Sequence, residues 1–381
     1  MWTTDINTMV IWIVLGFLGG MFGATIGGLL AFVFCGIGAL ISSALMLAGL
    51  TDTANFVDAW ITWGPFIGPQ TSFVGGCWAA AYAKHRAGFQ NGRDICQPLV
   101  TLQRPDVLLI GGIGGVVGAI CTWLAWLIPN LPVVGSESTV ATTNSVALGV
   151  MVASIIGRLV VGKSGIFGKV PDNVNRFDGD ENNCWIPWQH SSLSIIILAT
   201  MVGATSAILT YLNSNMHLML FGVMTVLFAF MILGQGVIAG HHYAITAYFA
   251  VAATGNVAWG IAFALIAGFA CDFFAFLFTA HGDSHIDPPT CAIAFCGTLQ
   301  PLLICFGLMP YTPMNGANTV ENLFNIKNML FANNSTSGVI ALLMILVLLP
   351  LITKLLRNNK TFLVGNSLFA TATVTVDNDE T

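Results

Sequence analysis

Charged side chains are scarce in this chain: Asp, Glu, Lys and Arg make up 8% of its 381 residues, whereas an average soluble domain is about 25% charged. So few charges cannot cover a globular surface of this size, which excludes a soluble enzyme, a nucleic-acid-binding protein and a disordered protein. Apolar residues make up 56% of the chain, and 41 residues are Gly, a residue more frequent in membrane helices than in soluble ones. The composition predicts an all-α, polytopic membrane protein whose main partner is the lipid bilayer.

Several sequence motifs are also missing. The chain has no phosphate loop, dinucleotide fingerprint, nucleophile elbow or H-E-x-x-H motif, which argues against an ATP-driven pump within this chain. The first five residues lack the basic region of a signal peptide, so the first apolar run is predicted to be a retained membrane span. Most of the nine Cys lie in apolar runs, where Cys behaves as a small hydrophobic residue.

Apolar runs long enough to cross a bilayer, about 20 residues, recur eleven times. They lie near residues 9–30, 31–50, 60–83, 106–129, 144–162, 193–213, 216–235, 238–255, 257–280, 288–309 and 336–356. Eleven of the 12 Lys and Arg fall in three stretches, 84–104, 158–176 and 354–360. Because basic loops stay in the cytoplasm, the pattern predicts a plasma-membrane protein with its N-terminus outside and its C-terminus inside.

Two parts of the chain resemble each other. Residues 64–82 align with 234–253, and residues 106–128 align with 256–278. Five spans separate the equivalent points, so the two halves are predicted to enter the membrane from opposite sides, as inverted repeats of transporters and channels do. The alternative is a duplicated scaffold that transports nothing. The predicted units are a first repeat 1–163, a cytoplasmic linker 164–192, a second repeat 193–310, an external loop 311–335, an extra helix 336–357 and a cytoplasmic tail 358–381.

The third predicted span contains a cluster of helix-breaking residues. Gly64, Pro65, Gly68 and Pro69 lie within six positions and precede Gln70-Thr71-Ser72. A break in a membrane helix is tolerated where it lines a cavity or packs on protein, and the N-terminus of the following half-helix attracts anions. We therefore expect Gly68, Pro69, Gln70, Thr71 and Ser72 to bind substrate, the alternative being a proline kink at the edge of the span.

The equivalent region of the second half carries Gln235 and the pair His241-His242. Adjacent helical residues point about 100° apart, so one His would face the pathway while the other bonds a neighbouring carbonyl. A His at membrane depth is costly unless it is paired or hydrated. These three residues are predicted to bind substrate, and the alternative is a hydrated His at the membrane surface.

Asp272 stands alone among apolar residues in the ninth predicted span. An ionised carboxylate inside a bilayer costs about 2.5–3.5 kcal/mol on insertion scales, so such residues face partners or water and are typically functional. Asp272 is predicted to bind a cation or carry a proton. Arg158, at the end of the fifth predicted span, is expected to extend its head group to the cytoplasmic edge.

The loop before the tenth predicted span carries His281, Asp283, His285 and Asp287. His together with carboxylate suits Zn, Mn or Fe, so these four residues are candidate ligands and a divalent metal is the one cofactor that the sequence leaves open. The alternative is a helix start, with Asp287 as N-cap and Pro288 at the first helical position.

The second half carries a further series of residues in order: Gln235, Gly240-His241, Trp259, and Asp287-Pro288-Pro289 followed by Ala292 and Ala294. This series resembles the pattern of the HPP family of integral membrane proteins over residues 235–294. Asp287 departs from it, since that family has His at this position. The resemblance implies a small inorganic anion as candidate cargo.

Taken together, these features predict a channel or secondary transporter for a small polar solute or ion, with its pathway between the inverted repeats and a small inorganic anion favoured. The alternative is a metal-dependent membrane enzyme or a subunit of an energy-coupling complex. A homo-oligomer is left open.

Overall fold

The computed structural model describes residues 5–172, 174–179, 184–314, 316, 329–331 and 336–357. Within them the regular secondary structure is helical apart from one two-stranded hairpin, which confirms the predicted all-α, polytopic membrane fold. Most of the predicted external loop 311–335, part of the linker 164–192 and the predicted tail 358–381 lie outside the described residues.

The described residues form thirteen α-helices. In chain order they are α1 Ile6–Ile26, α2 Gly28–Leu47, α3 Thr51–Val57, α4 Ser72–Arg86, α5 Pro105–Trp126, α6 Ser145–Val160, α7 Ser192–Leu212, α8 Met219–Val226, α9 Phe228–Ile232, α10 His241–Thr254, α11 Val257–Phe274, α12 Pro288–Cys305 and α13 Ser337–Leu356. Two π-helical turns, Asp58–Thr62 and Ala275–Thr279, extend α3 and α11. Short 3₁₀ turns cover Leu99–Leu102, Pro187–Gln189 and Ser214–Met216. The strands β1 Leu131–Pro132 and β2 Thr139–Val140 pair antiparallel.

Eight helical segments of the described chain are long and apolar enough to cross a membrane. They are α1, α2, α5, α7, the segment Ser214–Ile232, the segment Val257–Thr279, α12 and α13. The other three predicted spans correspond to the shorter helices α4, α6 and α10. The chain is therefore a membrane protein, while the number of complete spans stays a prediction.

The join between the first two helices is a single residue. Gly27 has φ 92° between the end of α1 and the start of α2, in the region that favours Gly because it has no Cβ. The sequence placed this boundary near residue 30, and the observed turn lies a few residues earlier, where Gly permits the conformation.

The two halves pack their helices in the same pattern. In the first half α5 packs against α1, α4 and α6, and in the second half α11 packs against α7, α10 and α12. The halves also meet through equivalent helices, since α2 contacts α8 and α6 contacts α12. This arrangement positions the starts of α4 and α10 inside the protein.

Candidate functional site

The third predicted span is broken where its Gly and Pro residues cluster. After α3 and the π-turn Asp58–Thr62, the chain runs through non-helical turns and α4 begins only at Ser72. α4 has 15 residues, which at 1.5 Å per residue is too short to cross a bilayer. The break therefore leaves a half-helix whose N-terminus lies within the protein.

The polar residues after the break hydrogen-bond to its backbone. Gln70 Nε2 donates to the carbonyl oxygen of Trp63 at 2.6 Å, and Ser72 Oγ donates to that of Ile67 at 2.7 Å. Thr71 Oγ1 donates to a carbonyl of the same turn at 2.9 Å. All three side chains are buried and line neither of the two cavities described below. Their role in the structure is to satisfy carbonyls that the break leaves without helical partners.

Two neighbouring helices approach this break closely through glycine. A Cβ built on Gly23 of α1 would overlap the carbonyl oxygen of Ser72, and one built on Gly118 of α5 would overlap that of Gln70. A Cβ on Gly68 would likewise meet the Gln70 side chain at 2.6 Å. Small residues at these positions therefore let the helices hold the broken backbone in place.

The equivalent segment of the second half is also broken. α9 ends at Ile232, and the residues up to Gly240 are not helical before α10 begins. Gln189 binds this segment through both of its amide atoms, since its Oε1 accepts from the backbone N–H of Ala239 at 2.7 Å and its Nε2 donates to the Ala239 carbonyl at 3.2 Å. Gln235 is exposed in this segment, so the structure does not bring it to the cavities.

The first turn of α10 carries the two histidines. His241 is 2% exposed and His242 is fully buried, yet none of their four ring nitrogens has a hydrogen-bond partner among the residues described. An unpaired buried polar group costs about 1–3 kcal/mol, and native structures contain few of them. The four ring nitrogens therefore leave unused hydrogen-bonding capacity at the N-terminus of this half-helix. Such unused capacity is typical of binding sites.

Three phenylalanine rings surround His241. The centroids of Phe32, Phe228 and Phe221 lie 5.1, 5.3 and 6.0 Å from that of the imidazole. Each ring meets the imidazole edge to face, at interplanar angles of 73° to 79°. We call these four side chains the His241 cage. Nothing local in the sequence distinguishes these three rings among the 26 Phe of the chain, so they could not be predicted as part of a site.

Two cavities meet at this cage. Cavity A, of about 260 Å³, is lined by loop 91–96, by residues 184–186, and by Thr279, Ala280, His285 and Asp287. Cavity B, of about 250 Å³, is lined by Asp58, Trp63, Pro69, residues 144–147, His217, Tyr248 and Phe249, among others. Phe32 and His241 line both cavities.

The cavities lie toward opposite ends of the membrane helices. Cavity A is lined by loop 91–96, which precedes α5, and cavity B is lined by Asn144, which lies beyond the other end of α5 at the start of α6. Because α5 is a 22-residue helix long enough to cross a bilayer, the two cavities approach the His241 cage from opposite sides.

Asp272 is paired, in contrast to the isolated carboxylate that its sequence environment indicated. Its Oδ1 lies 2.7 Å from Nδ1 of His190, and its Oδ2 accepts from the guanidinium of Arg357, just after α13. Asp272 lines neither cavity. The structure therefore places this residue in a contact between helix ends and outside the lining of both cavities.

Arg158 extends to the loops that follow α6 and precede α12, where its head group binds protein instead of water; its position at the cytoplasmic edge stays a prediction. Its side chain is fully buried; its Nε donates to Ser284 Oγ at 2.8 Å and its guanidinium to the carbonyl of Ile166 at 2.9 Å. The same guanidinium also donates to the carbonyl oxygens of Phe278 and Ser284. Arg158 thus ties the end of α6 to the loop that precedes α12.

Two of the four candidate metal ligands lie in separate hydrogen-bond networks. Asp283 is 2.9 Å from His85 Nε2 and accepts from Ser164 Oγ at 2.7 Å, while His281 Nε2 is 3.1 Å from the carbonyl of Arg176. Burial alone would raise the pKa of Asp283, but hydrogen bonds from Ser164, Lys163 and His85 leave its pKa below the ordinary value. These bonds fix the loop on neighbouring elements.

The other two candidates form the start of α12. Asp287 accepts from the backbone N–H of Thr290 at 2.9 Å and lies 3.2 Å from His285 Nε2, with Pro288 at the first helical position. The helix-start alternative is therefore confirmed. In the part of the chain that the structure describes, no three His, Cys, Asp or Glu side chains are grouped so as to hold a metal ion.

Comparisons with known proteins give one match. Residues 1–316 match the family described as "Family of unknown function (DUF7973)". No curated protein matches the chain, and no solved structure does. The resemblance to the HPP family is not tested by these findings and stays a prediction.

Proposed function

This chain belongs to DUF7973, a family of unknown function, and we propose that it is a membrane channel or secondary transporter for a small polar solute or ion. The observation that carries the proposal is the pair of cavities that approach from opposite ends of the membrane helices and share His241 and Phe32. In this proposal the solute passes between the cavities through the His241 cage.

The chemistry of the cage suits a gate for small solutes. Phe32, Phe221 and Phe228 form an apolar constriction, and hydrophobic constrictions of this kind gate channels by excluding water. His241 adds two ring nitrogens that have no hydrogen-bond partner among the described residues, so a passing solute could exchange its hydrogen bonds to water for bonds to the imidazole. The gate therefore favours a solute small enough for cavities of about 250–260 Å³ and able to hydrogen-bond.

The arrangement of the two halves supports the same proposal. The breaks before α4 and α10 lie at equivalent places in the two packing patterns, and broken helices at the join of inverted repeats are where transporters bind their substrates. We propose that the halves are inverted and that the protein lies in the plasma membrane with its N-terminus outside. Cavity A then opens to the cytoplasm and cavity B to the outside.

The test is flux through liposomes that contain the purified full chain. Uptake of a panel of small anions, cations and neutral solutes is measured with and without a pH gradient. We expect His241→Ala to lower the flux of the transported solute about tenfold or more, equivalent to about 1.4 kcal/mol in the barrier, and Phe32→Ala to change its selectivity.

His281→Ala is the matched control, because His281 lines neither cavity and bonds only to a loop carbonyl in the described structure. It is expected to keep wild-type flux. If His241→Ala folds, by its elution profile and melting temperature, and still transports every solute of the panel at wild-type rates, the proposed pathway is wrong.

A further inference from the structure

Cavity B is acidic. Among the described residues that line it, Asp58 is the one with a formal charge, and none of them is Lys or Arg. The Oδ1 atom of Asp58 is buried and has no hydrogen-bond partner within the described chain, while the carboxylate also bonds the side chain of Trp63. A buried carboxylate oxygen without a partner is an unoccupied acceptor for a cation or a hydrogen-bond donor.

Aromatic rings form much of the remaining wall. Trp63 and Phe221 lie with centroids 5.3 Å apart, and Tyr248 lies 4.7 Å from the ring of His217. The faces of such rings attract cations, Trp most strongly, and cages of this type bind ammonium groups. A hard metal ion would gain less here, because it prefers several oxygen ligands.

His217 adds another acceptor to this wall. Its Nδ1 lies 2.8 Å from the carbonyl oxygen of Ser214, so in the neutral ring Nδ1 carries the hydrogen and Nε2 holds a free lone pair. Asp58 Oδ1 and His217 Nε2 thus give this wall two acceptors. An anion would meet this carboxylate, and no described lining residue is a Lys or Arg that would offset the repulsion.

We propose that cavity B binds a small organic ammonium ion, with Asp58 as its counter-ion and the rings of Trp63, Phe221 and Tyr248 around it. This proposal rests on the proposed function, in which cavity B is one end of the pathway, and it specifies the chemistry that this end selects. The volume of about 250 Å³ limits the ligand to a small molecule, since it equals the liquid volume of roughly eight waters at about 30 Å³ each.

The protonation of Asp58 makes this binding dependent on pH. Asp58 precedes the predicted third span, and burial raises its pKa to about 6. The titratable groups that face it from other elements are Cys35 of α2, Tyr248 of α10 and, across the cavity, His217 and His241. Asp58 is charged above pH 6 and neutral below it, so the ammonium ion is expected to bind more weakly as the pH falls through 6.

The experiment measures binding of methylammonium to the purified full chain by calorimetry at pH 7.5 and pH 5. We expect Asp58→Asn to weaken binding at pH 7.5 about tenfold or more and to remove the pH dependence, and Asp58→Glu to retain both. Asp52→Asn is the matched control, because Asp52 is an exposed acid on α3, the short helix just before Asp58, and lines neither cavity.

The binding and flux experiments can contradict the ammonium site without contradicting the proposed function. Equal binding to the wild type and Asp58→Asn, or binding of potassium or nitrite in preference to methylammonium, would overturn the assignment of cavity B. If His241→Ala still lowers the flux in that case, the proposed pathway through the His241 cage remains supported. Should Asp58→Asn fail to fold, Tyr248→Leu tests the same wall and is expected to weaken methylammonium binding severalfold, whereas unchanged binding would contradict the proposal.

Discussion

Asp272 and Arg357 are 85 positions apart in the sequence and join two helix ends in the fold. Their side chains are 12% and 11% exposed, and His190 lies on the other oxygen of the carboxylate. Charge-assisted hydrogen bonds of this kind contribute about 1.5–3 kcal/mol each when largely shielded from water. The contact therefore fixes the end of α13 against the end of α11.

Asp272→Asn is predicted to lower stability without affecting transport. The substitution removes the charge that attracts Arg357 and leaves cavities A and B unchanged, so we expect a loss of about 1–3 kcal/mol in unfolding free energy and wild-type flux at temperatures where the protein stays folded. Thermal unfolding in detergent and liposome flux measure the two effects. Asp106→Asn is the control, because Asp106 pairs with Arg104 in an exposed position, where ion pairs contribute about 0–1 kcal/mol. If the folded Asp272→Asn variant shows reduced flux, this prediction is wrong and Asp272 takes part in transport.

The chemistry of single residues could be predicted from the sequence only in part. The scarcity of charge drew attention to Asp272, but its partner Arg357 lies just after the last described helix and no local pattern relates the two residues. Asp58 shows the opposite case, since an acid at a predicted span boundary looks hydrated until the fold buries one of its oxygens. The burial and pairing of a side chain depend on segments that are distant in the sequence. A local sequence pattern therefore does not predict them.

At the scale of elements, the breaks were the most predictable feature. Pro and Gly between Gly64 and Pro69 predicted the interruption before α4, because proline removes a backbone donor, and the internal alignment carried the prediction to the start of α10. The orientation of the side chains was not predictable. The side chains of Gln70 and Ser72 turn back and bond to carbonyls of the break. The packing of both halves decides which face of a half-helix meets the cavity.

Glycine packing against the first break gives a prediction for two positions on the same helix. A Cβ on Gly23 would overlap the backbone oxygen of Ser72, whereas one on Gly16 would meet its neighbours at 3.4 Å, an ordinary contact. Ala is favoured over Gly within a helix by about 1 kcal/mol. We therefore expect Gly16→Ala to be neutral or stabilising, and Gly23→Ala to cost about 1–3 kcal/mol by overpacking.

Melting temperatures of the two purified variants, compared with the wild type, measure this difference. Both substitutions are identical in chemistry and lie in α1, so helix propensity cancels between them. Equal melting temperatures for the two variants would show that α1 does not hold the break through Gly23.

At the scale of the whole molecule, the halves meet where the cavities meet. The His241 cage takes Phe32 from the first half and Phe221, Phe228 and His241 from the second, so neither half contains the whole cage. The sequence predicted a pathway between two repeats, and the equivalent helix packing supports the repeat. The separation into two cavities was not predictable, because it arises from ring contacts between residues about 190 to 210 positions apart.

The membrane orientation gives the last prediction. Loop 87–104 contains basic residues and is expected inside, whereas the hairpin of β1 and β2 is expected outside, because lysine and arginine retain loops in the cytoplasm. Ser136→Cys, in the exposed hairpin, should react with a membrane-impermeant maleimide on intact cells. Thr101→Cys, also exposed, should react only after lysis, and the wild type sets the background of the native cysteines. The reverse labelling would place cavity B toward the cytoplasm, and its acidic wall would then receive an ammonium ion from within the cell.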